Sequence, residues 1–349
     1  MNKNKIIIVK IGSSVIAPGG KIDPDLIADI VADILKVQGK GYKVVLVSSG
    51  ALACGLNSLG YKRRPQNIHS LMAISSFGQV MLMDFFNEQF KKHHQKCAQM
   101  LLTWDDFDTR ERFINIYKTI DKLLGMDIVP IINENDAVSY QEIRLGDNDC
   151  ISARVADLLQ AKHLIILSDV KGLMHQDKVI EQVTCLTKDI FSLAKKEDKI
   201  HTSGGMITKL EAAQIALAAG VHTTIAYGRQ ENVIQDIVKG EKVGTLFLAQ
   251  ARKHKARKRW IAFSKKVKGT LVVDAGARDA IINKGKSLLA VGIIDYQGDF
   301  KQSDKVAIVD VDNRLLGYGI SNYNKKDLTR GKKFDKEVIH RDNFVKITE

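Results

Sequence analysis

Four loops in this 349-residue sequence set lysines, glycines, hydroxyls or carboxylates where an apolar run stops or a helix begins. The first is IIIVKIGSS, residues 6–14, in which Lys10 interrupts β-branched residues just ahead of Gly12-Ser13-Ser14. An unpaired ammonium is costly to bury, so a lysine there reaches a partner or an anion. Gly12 lets backbone N–H groups approach a phosphate. A snorkelling surface lysine is the other reading these residues allow. The second loop is VVLVSSGALACG, residues 44–55, where Ser48-Ser49-Gly50 opens a helix. Its free N–H groups suit a carboxylate or phosphate, unless Ser49 serves only as a helix cap.

The third loop, HTSGGMITKLEAAQIALAAG at 201–220, sets Gly204-Gly205 before an amphipathic helix with Lys209 in its first turn. A cation there opposes the helix dipole, so its position asks for an anion nearby. A glycine turn, a helix N-terminus and a lysine together suit a polyphosphate. The fourth is VPIINENDAV at 129–138, followed by GDND at 146–149. It gathers Asn133, Glu134, Asn135, Asp136, Asn148 and Asp149, carboxylates and amides fit to grip an ammonium group or a metal. Ser168-Asp169 ends LIILSDVKGL in the same manner. Other chemistries lack their motifs. The chain has no GxxxxGK[ST], no HExxH, no GxSxG and no GxGxxG after its first apolar run. Cys54, Cys97, Cys150 and Cys185 have neither zinc nor disulfide spacing.

The elements that must carry these loops are short apolar runs at 5–11, 43–48, 96–102, 127–132, 162–168, 221–226 and 243–248. Helical patterns separate several of them, as in Leu26, Ile27, Ile30, Val31, Ile34 and Leu35. Such alternation predicts an α/β fold, a mostly parallel sheet sandwiched by helices. Ligands in that fold sit beyond the carboxyl ends of the strands, where all four loops fall. After Leu248 the texture changes. Residues 251–268 hold nine Lys and Arg and no acid, which reads as a solvated connection. Strand-like runs at 270–273, 306–311 and 315–320 then predict a small β-rich domain.

Residues 1–250 carry 30 Lys and Arg against 28 Asp and Glu, whereas the remainder carries 23 against 12. A tail module with net +11 points toward nucleic acid. No apolar run approaches the ~20 residues that span a bilayer. Met1-Asn2-Lys3 leads straight into a strand-like run with no signal peptide, so a reduced, cytoplasmic protein with no membrane partner is expected.

VKIGSS, LVSSGA, RERFIN, VPIINENDAV, GDND, SDVKGL, GGMITKL and VGTLF occur in this order, and the ordered set resembles the amino acid kinase family. VPIINENDAV with GDND is similar to the branch of that family acting on free glutamate. GTLVVDAGARDAIINKGKSLLAVGI, with GDF and GYGISNYN after it, resembles a C-terminal PUA domain, which in other proteins commonly binds RNA. The resemblance implies a kinase domain at 1–250, a basic linker at 251–266 and a PUA domain at 267–349. It implies the reaction ATP + L-glutamate → ADP + L-glutamyl 5-phosphate, the first step of proline synthesis, with Mg2+ accompanying ATP. By the same resemblance Lys10, Lys209 and Asp149 are the catalytic set, and Ser49, Asp136 and Asn148 bind glutamate. ATP would meet Lys10, Ser168, Asp169 and the loop Ser203, Gly204, Gly205, Met206, Ile207, Thr208 and Lys209. No residue is expected as a dedicated metal ligand.

Ser168 and Ser203 stand where many relatives carry threonine, and the segment 176–202, a lid on the nucleotide side, looks shorter than theirs. Homo-oligomerisation and hand-off of product to glutamate-5-semialdehyde dehydrogenase are further implications. An RNA-binding or RNA-modifying protein is the rival from another class. Kinases of N-acetylglutamate or uridylate are the nearer rivals, although a free α-ammonium explains Asp136 best.

Overall fold

The computed structural model describes residues 5–138, 148–197, 205–250, 258, 261, 267–328 and 335–347. The chain forms two compact units, Met1–Arg252 and Lys253–Glu349.

In the first unit, β1 (Ile6–Ile11) leads through the short helix α1 (Ser13–Ile16) to α2 (Pro24–Gly39) and β2 (Lys43–Ser48). Helices α3 (Ala51–Ser58) and α4 (Ile68–Lys92) follow, then β3 (Lys96–Leu102), α5 (Arg110–Gly125) and β4 (Ile128–Glu134). Next come α6 (Asn148–Leu159), β5 (His163–Ser168) and the short strands β6 (Met174–His175), β7 (Lys178–Val179) and β8 (Gln182–Val183). The unit closes with α7 (Lys188–Glu197), α8 (Met206–Ala218), β9 (His222–Tyr227), α9 (Val233–Lys239) and β10 (Thr245–Phe247).

Eight strands form one sheet in the order β3-β4-β2-β1-β5-β9-β10-β8, parallel except where β10 meets β9. Successive residues of β1 point to opposite faces. Ile7, Val9 and Ile11 join a core with Ile27, Ile30 and Ile34 of α2 and with Leu82, Phe86 and Phe90 of α4. Lys10 has the opposite parity. On its face α6 packs across β1, β2, β4 and β5 and against α8. Because α6 is covered on all sides, Asn148 and Asp149 in its first turn are held inside the protein.

The first turn of α2 shows how local sequence sets an element. Pro24 pre-organises the first helical position, and the Asp23 carboxylate accepts from the Leu26 N–H at 3.2 Å. Helices α3 and α4 touch through glycines. A Cβ on Gly78 would lie 2.0 Å from the Ala51 carbonyl oxygen, and one on Gly55 would lie 2.2 Å from that of Ile74. This close approach lays the middle of α4 beside the Ser49-Gly50 turn.

The second unit holds β11 (Gly269–Val273), α10 (Ala275–Ile282), β12 (Ile293–Gly298), β13 (Lys305–Val309), β14 (Leu315–Ile320) and β15 (Phe344–Lys346). Its sheet runs β12-β11-β13-β14-β15 over a separate core that includes Leu271, Phe300, Ile308 and Val338. Asp274 caps α10 by accepting from the Ala277 N–H at 2.7 Å.

Every strand expected in the first unit is present within two residues of its bounds, except that β10 covers only three residues. The sequence pattern missed β6, β7 and β8, two residues each, the largely exposed β12 and the three-residue β15. The basic stretch read as a solvated connection contains a buried anchor, Ile261, packed with Ile320 and Val345. Its other residues, apart from Lys258 and the terminal Val267 and Lys268, lie outside the described ones.

Candidate active site

The parallel order brings the carboxyl ends of β4, β2, β1 and β5 to one edge of the sheet, and the N-termini of α6 and α8 meet them there. A cavity of about 640 Å3 opens at this edge. Lys10, Ser49, Asp136, Asn148, Ser168, Asp169 and Lys209 all line it. The four loops therefore converge on one chamber.

At one end stands a buried charge cluster. The Lys10 ammonium lies 2.5 Å from Asp149 Oδ1, and the Lys209 ammonium lies 3.5 Å from Asp149 Oδ2. The Thr208 hydroxyl donates to Asp149 Oδ2 at 2.9 Å. Lys10, Asp149 and Lys209 are 5%, 1% and 6% exposed, so bulk water screens them little. Burial drives the Asp149 carboxyl upward, but the two ammonium groups and the bonds from Lys10 and Thr208 outweigh it and bring it down to about 2. Burial lowers the Lys10 ammonium, Lys209 lowers it further, and Asp149 opposes both. With all three ionised, the cluster carries net +1 toward the cavity. The anion that the position of Lys209 asks for is, within the protein, Asp149.

The other end brings amides and carboxylates together. Asn148 donates through Nδ2 to Ser49 Oγ at 3.0 Å and to Asn133 Oδ1 at 2.9 Å. The Glu134 N–H lies 2.8 Å from Asn133 Oδ1 and 3.2 Å from Asn148 Oδ1. Asp136 is half-buried beside them. Burial pushes its carboxyl up to about 6, against the pull of the Ser75 hydroxyl and the Arg64 guanidinium. The exposed Lys62, Arg63 and Arg64 also line the cavity.

Elsewhere on the cavity wall, the Ser168 hydroxyl donates to Asp169 Oδ1 at 3.1 Å. Gly12 donates its N–H to the Leu167 carbonyl at 3.1 Å, which ties the β1 turn to β5. Gly205 caps α8 with extended backbone, and Met206 is buried in the helix. Neither Met206, Ile207 nor Thr208 is among the residues that line the cavity. Ser203 and Gly204 lie outside the described residues, as do 198–202 of the segment expected to form a lid. The described part of that segment folds as β7, β8 and α7.

Sequence reasoning did not name Ser75 or Gln79 of α4, nor the Lys62-Arg63-Arg64 cluster, as parts of the site. The two α4 residues come from a separate helix with no local motif. A basic run on its own signals only a solvated loop.

Residues 5–226 match the model of the amino acid kinase family, and residues 269–341 match that of the PUA domain. The chain belongs to the amino acid kinase family. Within it, similar curated proteins are named glutamate 5-kinase. That of Syntrophotalea carbinolica is 41% identical over 99% of this chain and 98% of its own length. Those of Dictyoglomus thermophilum and Caldanaerobacter subterraneus are 40% and 38% identical, over 99% and 97% of both chains. Among solved structures, carbamate kinase from Giardia lamblia bound to AMP-PNP superposes with a TM-score of 0.51 at 19% identity. It covers 72% of this chain and all of that one, and shares the fold. The chain is thus a kinase, an enzyme of phosphoryl transfer. No helix among the described residues is long and apolar enough to cross a membrane.

Proposed function

We propose that this kinase transfers the γ-phosphoryl group of ATP to the side-chain carboxylate of L-glutamate, giving ADP and L-glutamyl 5-phosphate. One observation carries the reading: a single cavity holds a buried cluster of net +1 at one end and an acid-and-amide surface at the other. A glutamate side chain is already ionised at pH 7, with an ordinary pKa of about 4.3, so the reaction needs no general base. Its difficulty is the approach of one anion to another, which positioning and fixed positive charge relieve. Lys10 and Lys209 stabilise charge on the transferring group, and Asp149 holds them in place. Ser49 and Asn148 orient the amino acid, and Asp136 pairs with its α-ammonium.

The nucleotide lies along Lys10, Ser168, Asp169 and the loop from Ser203 to Lys209. When bound, Mg2+ neutralises charge on the ATP phosphates. Asp169, exposed on the cavity wall, is the carboxylate that fits it, since Mg2+ takes phosphate oxygens and water for most of its ligands. Among the described residues no cluster of three or more His, Cys, Asp or Glu could form a cage of its own.

Residues 1–250 form the kinase domain, 251–266 a basic linker and 267–349 the PUA domain. The acyl phosphate is a reactive mixed anhydride, which favours prompt hand-off to a reductase such as glutamate-5-semialdehyde dehydrogenase. Homo-oligomerisation, a cytoplasmic location and RNA binding by the basic tail belong to the same reading.

A substrate panel with hydroxylamine trapping tests it. L-Glutamate should give the hydroxamate, and N-acetylglutamate, carbamate and uridylate should not be turned over. Turnover of N-acetylglutamate instead would overturn the role of Asp136 as partner of a free ammonium.

A further inference from the structure

A chain of amides leads out of the cavity wall into the protein, and every bond in it has a direction. Gln79, buried in the middle of α4, accepts through Oε1 from Asn133 Nδ2 at 2.7 Å. Its own Nε2 faces Gln99 Oε1 of β3 at 3.3 Å. With Nδ2 committed to Gln79, Asn133 turns Oδ1 toward Glu134 N–H and Asn148 Nδ2. Asn148 then spends both Nδ2 protons, one on Asn133 and one on Ser49 Oγ. Ser49 accepts at the end of the chain, so its own O–H proton is left to point into the cavity. Reversing the Asn133 amide would set an N–H against both the Glu134 N–H and Asn148 Nδ2, leaving buried donors unpaired at a cost.

We infer that Gln79 is a positioning residue which, through Asn133 and Asn148, fixes Ser49 as a hydrogen-bond donor toward a carboxylate oxygen of the substrate. Gln79 touches no substrate. It anchors the Asn133 end of a relay whose polarity the Glu134 N–H also enforces and whose last member does touch it. The packing of α4 on β3, the neighbour of β4, brings this side chain within reach of Asn133. The inference rests on the substrate reading above.

The test is a double-mutant cycle. Gln79→Met, of similar length but with no acceptor, should raise the KM for glutamate about three- to tenfold, the worth of one neutral hydrogen bond. The KM for ATP should stay within twofold. Gln79→Glu keeps the acceptor for Asn133 and should restore most of the lost affinity. In a Ser49→Ala background, Gln79→Met should cost little more, because the relay then has no terminus. Additive effects, an equal change in both KM values, or an unchanged KM would each overturn the inference. If the parent enzyme makes no acyl phosphate from glutamate, the substrate reading falls by itself. The coupling is then judged from thermal unfolding of the same four proteins, where additive losses in Tm would overturn it.

Discussion

Replacing Asp149 by Asn probes the cavity's cationic end most sharply, because it deletes the charge that lets two buried lysines coexist. Holding the carboxyl at about 2 instead of 3.8 is worth on the order of 2 kcal/mol of native-state preference. Its native value is depressed, so that stability is present above pH 3.8 and is lost as pH falls through about 2. Asparagine removes the attraction and leaves two like charges with one neutral neighbour. Breaking a buried ion pair in this way typically costs about 3–5 kcal/mol. For a unit of this size that is a fall in Tm on the order of 10 °C. Catalysis should suffer separately, by about 10²–10³-fold in kcat, as the ammonium groups lose their fixed positions.

The pH profile of Asp149→Asn carries a further signature. Burial and Lys209 already lower the Lys10 ammonium, and only Asp149 opposes them. Without it, that lowering goes unopposed and Lys10 gives up its proton more readily. The residual activity of the variant should therefore rise as pH is lowered across the range in which it stays folded, opposite to a simple loss of protein. Calorimetry and hydroxamate formation across that range read both effects. A variant with kcat within threefold of the parent and an unchanged Tm would refute the reasoning.

Lys10→Ala and Lys209→Ala should each lower kcat about 10²–10³-fold while the protein stays folded by circular dichroism; near-normal kcat in either would remove that lysine from the phosphoryl site. Asp136→Ala should raise the KM for glutamate about ten- to hundredfold and leave that for ATP nearly unchanged; a shift confined to ATP would move Asp136 to the nucleotide side. Because the Asp136 carboxyl sits at about 6 in the free protein, the KM for glutamate should climb up to about tenfold per pH unit below that value. Asp136→Asn should flatten this limb. Its folded value is raised, so the ligand-free protein should also lose stability as pH rises from about 4 to 6, and the Asn variant should not. A chain ending at Gln250 should still fold and make acyl phosphate, since the two units have separate cores. Polyanion binding should vanish with the tail and, in the full chain, weaken steeply as salt is raised.

The site was legible where chemistry sits at the end of a buried strand. Lys10, Ser49, Asp136, Ser168 and Asp169 stand out because buried parallel strands read as unbroken apolar runs, so any polar residue closing one is conspicuous. Parallel pairing of neighbouring strands then makes those ends converge, which local patterns do not state but the α/β class implies. Gln79 was not legible. It lies mid-helix, 54 residues from Asn133, and meets it only through the packing of α4 on the sheet. Thr208 was assigned to the nucleotide loop, yet its hydroxyl bonds to Asp149, a partner 59 residues away. In the tail, β12 escaped notice because a largely exposed strand keeps little of the alternation that marks a sheet, and β15 because it is only three residues long. Ile261 lies in the short run WIAF between basic residues, too brief to give a periodic signal.

The most direct test of phosphoryl transfer to the side-chain carboxylate is to follow its oxygen. Glutamate labelled with 18O in the γ-carboxylate is incubated with enzyme and MgATP, and hydroxylamine then cleaves the acyl phosphate at its carbonyl carbon. The released phosphate should carry one 18O, visible as an isotope shift in its 31P resonance, and label in the α-carboxylate should give none. Phosphate free of label from γ-labelled glutamate, or labelled from the α-carboxylate, would contradict the assignment of this cavity.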